Sequence, residues 1–240
     1  HISDLHFRQS DDYNQNVVTD SLIQDLQEVI AKDNRKIDLI FITGDLTFSG
    51  KVEEFALFHV FIEKLINVTS VPVSNIIVVP GNHDVNWNDI PFLLKEAPNL
   101  INNREQVSQI MGSSEERKNF LVGFKNYNNY ITKTFPWASS KKEHSFSHTI
   151  NLEINQVKLS VLALNSAWLS SPTSNNKGNL VLGERQVREA LEEIDNPNIV
   201  ISLMHHSFEW LKWFDRNDVK GMLDRRTDFI LSGQDRKSVV

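Results

Sequence analysis

Short apolar runs that stop abruptly at glycine or polar residues alternate along this chain with segments of helical periodicity. The runs are rich in β-branched residues, as expected of strands that are buried on both faces. They span residues 37–42, 76–79 and 199–204. The helical segments, whose apolar residues recur at helical spacing, span residues 14–32, 52–67 and 183–194. This alternation predicts an α/β fold with a largely parallel sheet covered by helices.

Two regions depart from this alternation. Residues 145–154 and 157–164 resemble an antiparallel strand pair that turns at Asn155 and Gln156. Residues 87–142 are Asn-rich and polar, with two helical stretches, and interrupt the succession of strands. We interpret this segment as an inserted helical cap that shapes access to the site. The alternative is that it forms two ordinary surface helices.

Length allows one large domain or two small ones, and composition indicates a substantial core. The chain has 240 residues, of which 40% are hydrophobic, including 14 Phe and 5 Trp. No apolar run approaches the roughly 18 residues of a membrane span, so we expect no membrane partner. The absence of cysteine excludes disulfides, Cys-ligated zinc and thiol catalysis, and is consistent with the cytoplasmic location that we expect.

The first residues read as the end of a strand. Because the sequence starts at His1 and lacks an initiating Met, we expect residues 1–240 to be a single domain from a longer chain, with a further domain outside it.

Side chains that can bind metal follow four strand-like segments, each at its carboxyl end. They are Asp4 and His6 after Ile2, Asp45 after the run 37–42, Asn82, His83 and Asp84 after the run 76–79, and His205 after the run 199–204. In open α/β sheets this edge is where ligands bind. We therefore expect the four groups to form one site.

The residue types suit two divalent cations. Asp4 and His6, two apart on a segment expected to be extended, would point to the same side and hold one ion together. Asp45 has two oxygens and can bridge both ions, while Asn82 and His205 would serve the second. A carboxylate, amide and imidazole set without thiolate favours Mn, Fe or Zn over copper. Two ions roughly 3.5–4 Å apart can hold a bridging hydroxide and polarise a phosphoryl group.

The remaining site residues have predicted catalytic or supporting roles. His83, beside a ligand, is placed to act as the general acid that protonates the leaving alkoxide, and Asp84 could orient it. His206 follows a predicted ligand on a strand end, where its side chain should point away from His205. We expect it to pack or to support a ligand rather than to bind metal.

In order and spacing these motifs resemble those of the calcineurin-like metallophosphoesterase superfamily. They are Asp4-Leu5-His6, Gly44-Asp45, Gly81-Asn82-His83-Asp84 and Met204-His205-His206. The chain is most similar to bacterial cyclic-nucleotide phosphodiesterase-like members, with an enlarged middle insertion. The resemblance implies a two-sheet β-sandwich flanked by helices, an α/β/β/α fold, with a dimetal site at one end. It assigns Asp4, His6 and Asp45 to one metal, and Asp45, Asn82 and His205 to the other.

One motif departs from the family's pattern. The family closes its site with Gly-His-x-His after the last strand, which we place at Phe229–Leu231, whereas here Gly233 is followed by Gln234, Asp235 and Arg236. Three explanations are open. The site is weakened, Asp235 substitutes for a histidine, or Gly233 and Gln234 are not neighbours in the native chain.

We expect a metal-dependent phosphoesterase that acts on a phosphoester small molecule or nucleotide, with phosphodiesters such as cyclic nucleotides favoured. One alternative is a nuclease of the same superfamily. The net charge of −6 and the lack of a Lys/Arg stripe argue against nucleic acid as a partner. The other alternative is a degenerate domain that binds metal, nucleotide or a partner protein without turnover.

Overall fold

A computed structural model describes residues 1–9, 12–33, 36–139, 144–172 and 175–233. The strands are β1 (Ile40–Thr43), β2 (Ile76–Val79), β3 (Ser147–Ile154), β4 (Val157–Leu164), β5 (Ile199–Met204) and β6 (Phe229–Ser232). The long helices are α1 (Asp12–Asp33) and α2 (Val52–Thr69). The shorter helices are α3 (Phe92–Lys95), α4 (Ala97–Leu100), α5 (Arg104–Gly112), α6 (Ser114–Phe120), α7 (Lys125–Thr134), α8 (Glu184–Glu192) and α9 (Trp213–Asp224).

The strands form two sheets. In the first sheet β1 pairs with β2 in parallel, and Ile2 extends this sheet through a parallel bridge to Ile42. In the second sheet the order is β3-β4-β5-β6, with β3 antiparallel to β4 and the other pairs parallel. The predicted turn between β3 and β4 is confirmed, because both Asn155 and Gln156 have the positive φ angles of a tight hairpin.

Side chains alternate across both sheets and so build three apolar layers. Ile42 and Val78 face outward and pack with α2 and α7, whereas Ile77 and Val79 face inward against Val161 of the second sheet. The outward side chains of the second sheet pack against α8 and α9. The order of layers is helix, sheet, sheet, helix, which confirms the predicted two-sheet sandwich flanked by helices.

The segment predicted to be a cap is helical, as expected, and in its described part, 87–139, aromatic side chains enter the core. Trp137 Nε1 donates a hydrogen bond to the carbonyl of Ile76 at 2.8 Å, and Tyr127 is buried against the same strand. Tyr130 stacks on Phe55 of α2 with ring centroids 5.4 Å apart. These contacts tie the segment to the free edge of β2 and to α2.

None of the helices in the described ranges combines the length and the apolar character needed to cross a bilayer.

Candidate metal centre

The predicted site residues converge at the carboxyl ends of β1, β2 and β5, beside the segment that begins at Ile2. Close approach of these segments requires glycine at two positions. A Cβ atom on Gly44 would lie 2.5 Å from Nδ1 of His205, and one on Gly81 would lie 2.1 Å from Oδ1 of Asp45. The two glycines of the Gly44-Asp45 and Gly81-Asn82 motifs thus allow the functional side chains to pack directly on the backbone.

Three of the predicted ligands have a left-handed backbone, which non-glycine residues rarely adopt. The φ angles are 58° at Asp4, 51° at His6 and 53° at Asp45. The segment that carries Asp4 and His6 is therefore not extended, and the expectation that alternation along a strand places their side chains together is wrong. Such backbone conformations cost about 1–3 kcal/mol each and cluster at functional sites.

Asp45 lies at the centre of the site and contacts its neighbours through both oxygens. Oδ1 accepts a hydrogen bond from the backbone N–H of His83 at 2.9 Å. Oδ2 lies 3.2 Å from Nε2 of His205 and 3.7 Å from Nε2 of His6. Two groups of ligand atoms are close enough to hold an ion, namely those of His6, Asp45 and His83 and those of Asp4, Asp45 and His205. Because Asp45 belongs to both groups, the geometry is consistent with the predicted bridging role.

The hydrogen bonds of His205 show whether this set of side chains can hold a cation. Its Nδ1 is 2.7 Å from the carbonyl oxygen of Thr43, which can only accept, so Nδ1 carries a proton. Its Nε2 is buried, has no hydrogen-bond partner and faces the carboxylate of Asp45. In a neutral ring this places a lone pair against a negative oxygen, an arrangement that a cation between the two atoms would stabilise. The donor set fits divalent metal ions.

The groups differ from the assignment that the sequence resemblance implies. Asp4 lies with His205, and His6 lies with His83, with the His6 and His83 rings 4.6 Å apart. The amide oxygen of Asn82 lies 2.9 Å from Nε2 of His206. The division of Asp4, His6, Asp45, Asn82 and His205 between two ions stays a prediction.

His83 and Asp84 have different surroundings from those expected. The ring of His83 is held by Phe48, whose carbonyl oxygen lies 2.8 Å from Nδ1. Asp84 instead accepts hydrogen bonds from the backbone N–H groups of Leu46, Thr47 and Gly81 at 3.2, 2.9 and 2.8 Å. The orienting contact expected of Asp84 is therefore made by Phe48. Asp84 joins the loop after β1 to the loop after β2.

The electrostatics of the site keep Asp45 charged. Burial acts to raise the pKa of Asp45, but the close contact with His205 and the hydrogen bond from the backbone N–H of His83 outweigh it, and the pKa falls to about 2. Burial, reinforced by the charge of Asp45, raises the pKa of Asp84 to about 6. Burial lowers the pKa of His6 and holds that of His206 well below its ordinary value. At neutral pH the carboxylate of Asp45 therefore stays charged, and burial favours the neutral forms of His6 and His206. The pKa of His205 is instead raised, because its burial is outweighed by its contact with Asp45.

A cleft of about 790 Å³ opens beside these residues. His6 and His83 line it together with Phe48, whose ring is 44% exposed and stacks 5.3 Å from the guanidinium carbon of Arg8. Residues of α1 also line the cleft, including Val18, which is 68% exposed. Sequence analysis did not identify Phe48 or α1 with the site, although Phe48 lies only three residues beyond Asp45 in the same loop.

Among the described residues that line this cleft, none comes from the segment 87–139. The role of 87–142 as a cap over the site stays a prediction. Gln234, Asp235 and Arg236, which replace the last motif of the family, lie outside the described residues.

Comparisons with known proteins agree with the motifs. The metallophosphoesterase-like protein YydB of Bacillus subtilis (strain 168) is 23% identical over 234 residues, which cover 93% of this chain. The chain spans 45% of the length of that relative. The structure of purple acid phosphatase PPD1 from seeds of yellow lupin (Lupinus luteus) superposes with a TM-score of 0.53 at 16% sequence identity. The superposition covers 97% of this chain and 37% of the phosphatase, and it shows a similar fold. Residues 1–233 match the family model for the calcineurin-like phosphoesterases, and the chain belongs to that family.

Proposed function

We propose that this protein hydrolyses phosphoesters with the help of two divalent metal ions, and that its substrates are phosphodiesters such as cyclic nucleotides. The observation that carries the proposal is the position of Asp45, which belongs to two groups of ligand atoms beside an open cleft. Divalent ions at such a site would activate water and neutralise charge on the phosphoryl group. Membership of the phosphoesterase family supports the reaction class.

The role of His83 follows from where it is held. Its Nδ1 is occupied by the carbonyl of Phe48, while its ring lines the cleft. A protonated ring in this position can donate its second proton to the leaving oxygen of a substrate in the cleft. We assign His83 as the general acid, and the carbonyl of Phe48 as the group that orients it.

The composition of the cleft wall supports diesters over monoesters. Of the described residues that line the cleft, Arg8 is the one lysine or arginine, whereas Val18, Leu22 and Phe48 present apolar surface. A phosphomonoester carries up to two negative charges and gains most from several cationic side chains. A diester carries one charge and a second organic group, which apolar side chains can cover.

The nuclease alternative has weaker support. The net charge is −6, and a duplex or long single strand requires a track of several Lys and Arg residues. We therefore favour small diesters as substrates.

The test is hydrolysis by the chelator-stripped protein, reloaded with Mn²⁺, Fe²⁺ or Zn²⁺. We expect two ions per chain and activity that returns with metal. Turnover of bis(p-nitrophenyl) phosphate and of 2′,3′- and 3′,5′-cyclic nucleotides should exceed turnover of p-nitrophenyl phosphate. Preference for the monoester would contradict the substrate class. Metal binding without any turnover would favour the non-catalytic alternative, and cleavage of oligonucleotides alone would favour the nuclease.

A further inference from the structure

Behind the metal centre, three side chains form a continuous line from the segment after β4, past the end of β5, to the loop after β2. His206 is fully buried, and its ring lies between Ser166 and Asn82. Nε2 is 2.9 Å from Oδ1 of Asn82, and Nδ1 is 3.1 Å from Oγ of Ser166. The backbone N–H of His206 also donates to Oγ of Ser166, at 2.9 Å. Both nitrogens of this ring are therefore engaged.

The hydrogen bonds determine which nitrogen carries the proton. Ser166 is fully buried, and its Oγ accepts the backbone N–H of His206, so its own hydroxyl proton needs a buried acceptor. Nδ1 of His206 lies within reach. If the hydroxyl donates to Nδ1, the ring is protonated at Nε2 and donates to Oδ1 of Asn82. In this arrangement every donor among Ser166, His206 and its backbone N–H has an acceptor. In the other tautomer, a lone pair of Nε2 would face the lone pairs of Oδ1.

The neighbouring histidine has the opposite environment. Nε2 of His205 has no hydrogen-bond partner and faces Asp45, so it is available to a cation. The rings of His205 and His206 lie nearly perpendicular, at 80°, with centroids 4.6 Å apart. Successive residues at the end of β5 thus point their imidazoles in different directions, one toward Asp45 and the other toward Asn82.

We propose that His206 is a positioning residue for the metal centre. It donates to Oδ1 of Asn82 and so fixes the amide with its second lone pair free for an ion, while Ser166 fixes the tautomer of His206. The inference rests on the metal-dependent function proposed above. It predicts that His206 acts only through Asn82. Hydrogen bonds of this kind to metal ligands contribute about 10- to 100-fold in metal affinity.

The experiment measures Mn²⁺ binding to the chelator-stripped protein by titration calorimetry, without substrate. We expect His206→Ala to weaken one of the two Mn²⁺ sites by about 10- to 100-fold and to leave the other unchanged. His206→Gln should recover much of this loss, because its amide N–H can donate to Asn82. Ser166→Ala should weaken the same site by a smaller factor.

A double-substitution cycle tests whether the effect passes through Asn82. In an Asn82→Ala background, the further change His206→Ala should alter Mn²⁺ affinity by less than about 3-fold. Additive losses would show that His206 acts independently and would overturn the inference. An unchanged Mn²⁺ affinity in folded His206→Ala protein would overturn it as well.

Two controls separate this inference from general effects. His148→Gln alters a partly buried histidine on β3, away from the site, and should leave both Mn²⁺ affinities unchanged. Thermal unfolding in the presence of chelator shows whether each variant is folded. If His206→Ala does not fold, the Mn²⁺ affinities of His206→Gln and Ser166→Ala test the inference instead. A parent protein that binds no Mn²⁺ overturns the proposed function and this inference together. Two bound ions with unchanged affinities in the variants overturn this inference alone.

Discussion

Nε2 of His205 lies 3.2 Å from Oδ2 of Asp45, and both side chains are almost completely excluded from solvent. The other ring nitrogen donates to the carbonyl of Thr43, which fixes the direction in which Nε2 points. A buried lone pair held against a buried carboxylate requires a positive charge nearby, either a proton or a metal ion. A metal ion between the two atoms would supply this charge in place of the proton on Nε2, so metal binding at this pair competes with protonation of His205.

The first prediction concerns Asp45. Asp45→Ala removes the carboxylate that both groups of ligand atoms share, so we expect the loss of both ions and of all activity. Elemental analysis after dialysis measures the ions per chain. Asp38→Ala, which removes a surface carboxylate paired with Lys36, is the matched control and should retain both ions. A stoichiometry of two in the Asp45 variant would contradict the bridging assignment.

The second prediction separates acid catalysis by His83 from metal binding. His83 lies with His6 and Asp45 as well as beside the cleft, so the two roles need different measurements. We expect His83→Ala to retain both ions and to lose about 10²- to 10⁴-fold in kcat on alkyl esters. The loss should be much smaller on nitrophenyl esters, whose leaving group needs no proton. Equal losses on both, or the loss of an ion, would contradict the proton-donor role.

The third prediction places substrate contacts on Phe48 rather than on the segment 87–142. Phe48→Ala removes the ring and keeps the carbonyl that holds His83, so we expect KM for diesters to rise about 10-fold with metal content unchanged. Steady-state kinetics on nitrophenyl diesters measure the change. Phe92→Ala, on the highly exposed surface of α3, is the control. A large change with Phe92→Ala and none with Phe48→Ala would favour the cap.

The fourth prediction treats Asp84 as a structural link. Its carboxylate accepts three buried backbone N–H groups, which Asp84→Ala would leave without partners. At about 1 kcal/mol or more for each unsatisfied donor, the free energy of unfolding should fall by roughly 3 kcal/mol. Urea denaturation with chelator present measures this loss. The exposed Asp89→Ala should change stability by less than about 0.5 kcal/mol. Equal stability of the two variants would contradict the structural role of Asp84.

The fifth prediction concerns the pH dependence of stability. Burial of His148 on β3 lowers its pKa from 6.5 to about 4, although the charge of Glu193 acts in the opposite direction. Between these values the unfolded chain binds a proton that the folded protein does not, so stability is lost as the pH falls from about 6.5 toward 4. The contribution is up to about 3 kcal/mol, since each pKa unit corresponds to about 1.4 kcal/mol. Urea denaturation from pH 7 to pH 4.5 should show a shallower loss in His148→Gln, and parallel profiles would contradict the assignment.

The strands were the most predictable part of the fold. The run 76–79 is β2 and the run 199–204 is β5, within the same bounds, because β-branched residues buried on both faces leave an unbroken apolar signal. The run 37–42 starts three residues before β1 and ends one residue before the end of β1, which spans Ile40–Thr43. The hairpin at Asn155 and Gln156 was equally predictable from the sequence, because the turn depends on two adjacent residues.

The members of the candidate site were predictable to the extent that they follow strands in sequence. Asp45 and His205 follow strands of different sheets, and they come together because the carboxyl ends of β1 and β5 meet where the two sheets pack on each other. The relation between Asp4 and His6 was not predictable, because left-handed φ angles at both residues remove the alternation from which it was inferred. Such angles are imposed by neighbouring segments and leave no periodic signal in the sequence.

By itself the sequence determined the order of strands and helices, the family and the set of residues at the edge of the sheets, all of which depend on local patterns and spacing. The tertiary structure decided that Phe48 holds His83, that α1 forms a wall of the cleft, and that His206 reaches Asn82 across 124 positions of the chain. The physical reason is that hydrogen bonds and ring contacts have a reach of a few ångströms. They are therefore set by how the two sheets and their loops pack, which no stretch of sequence encodes locally.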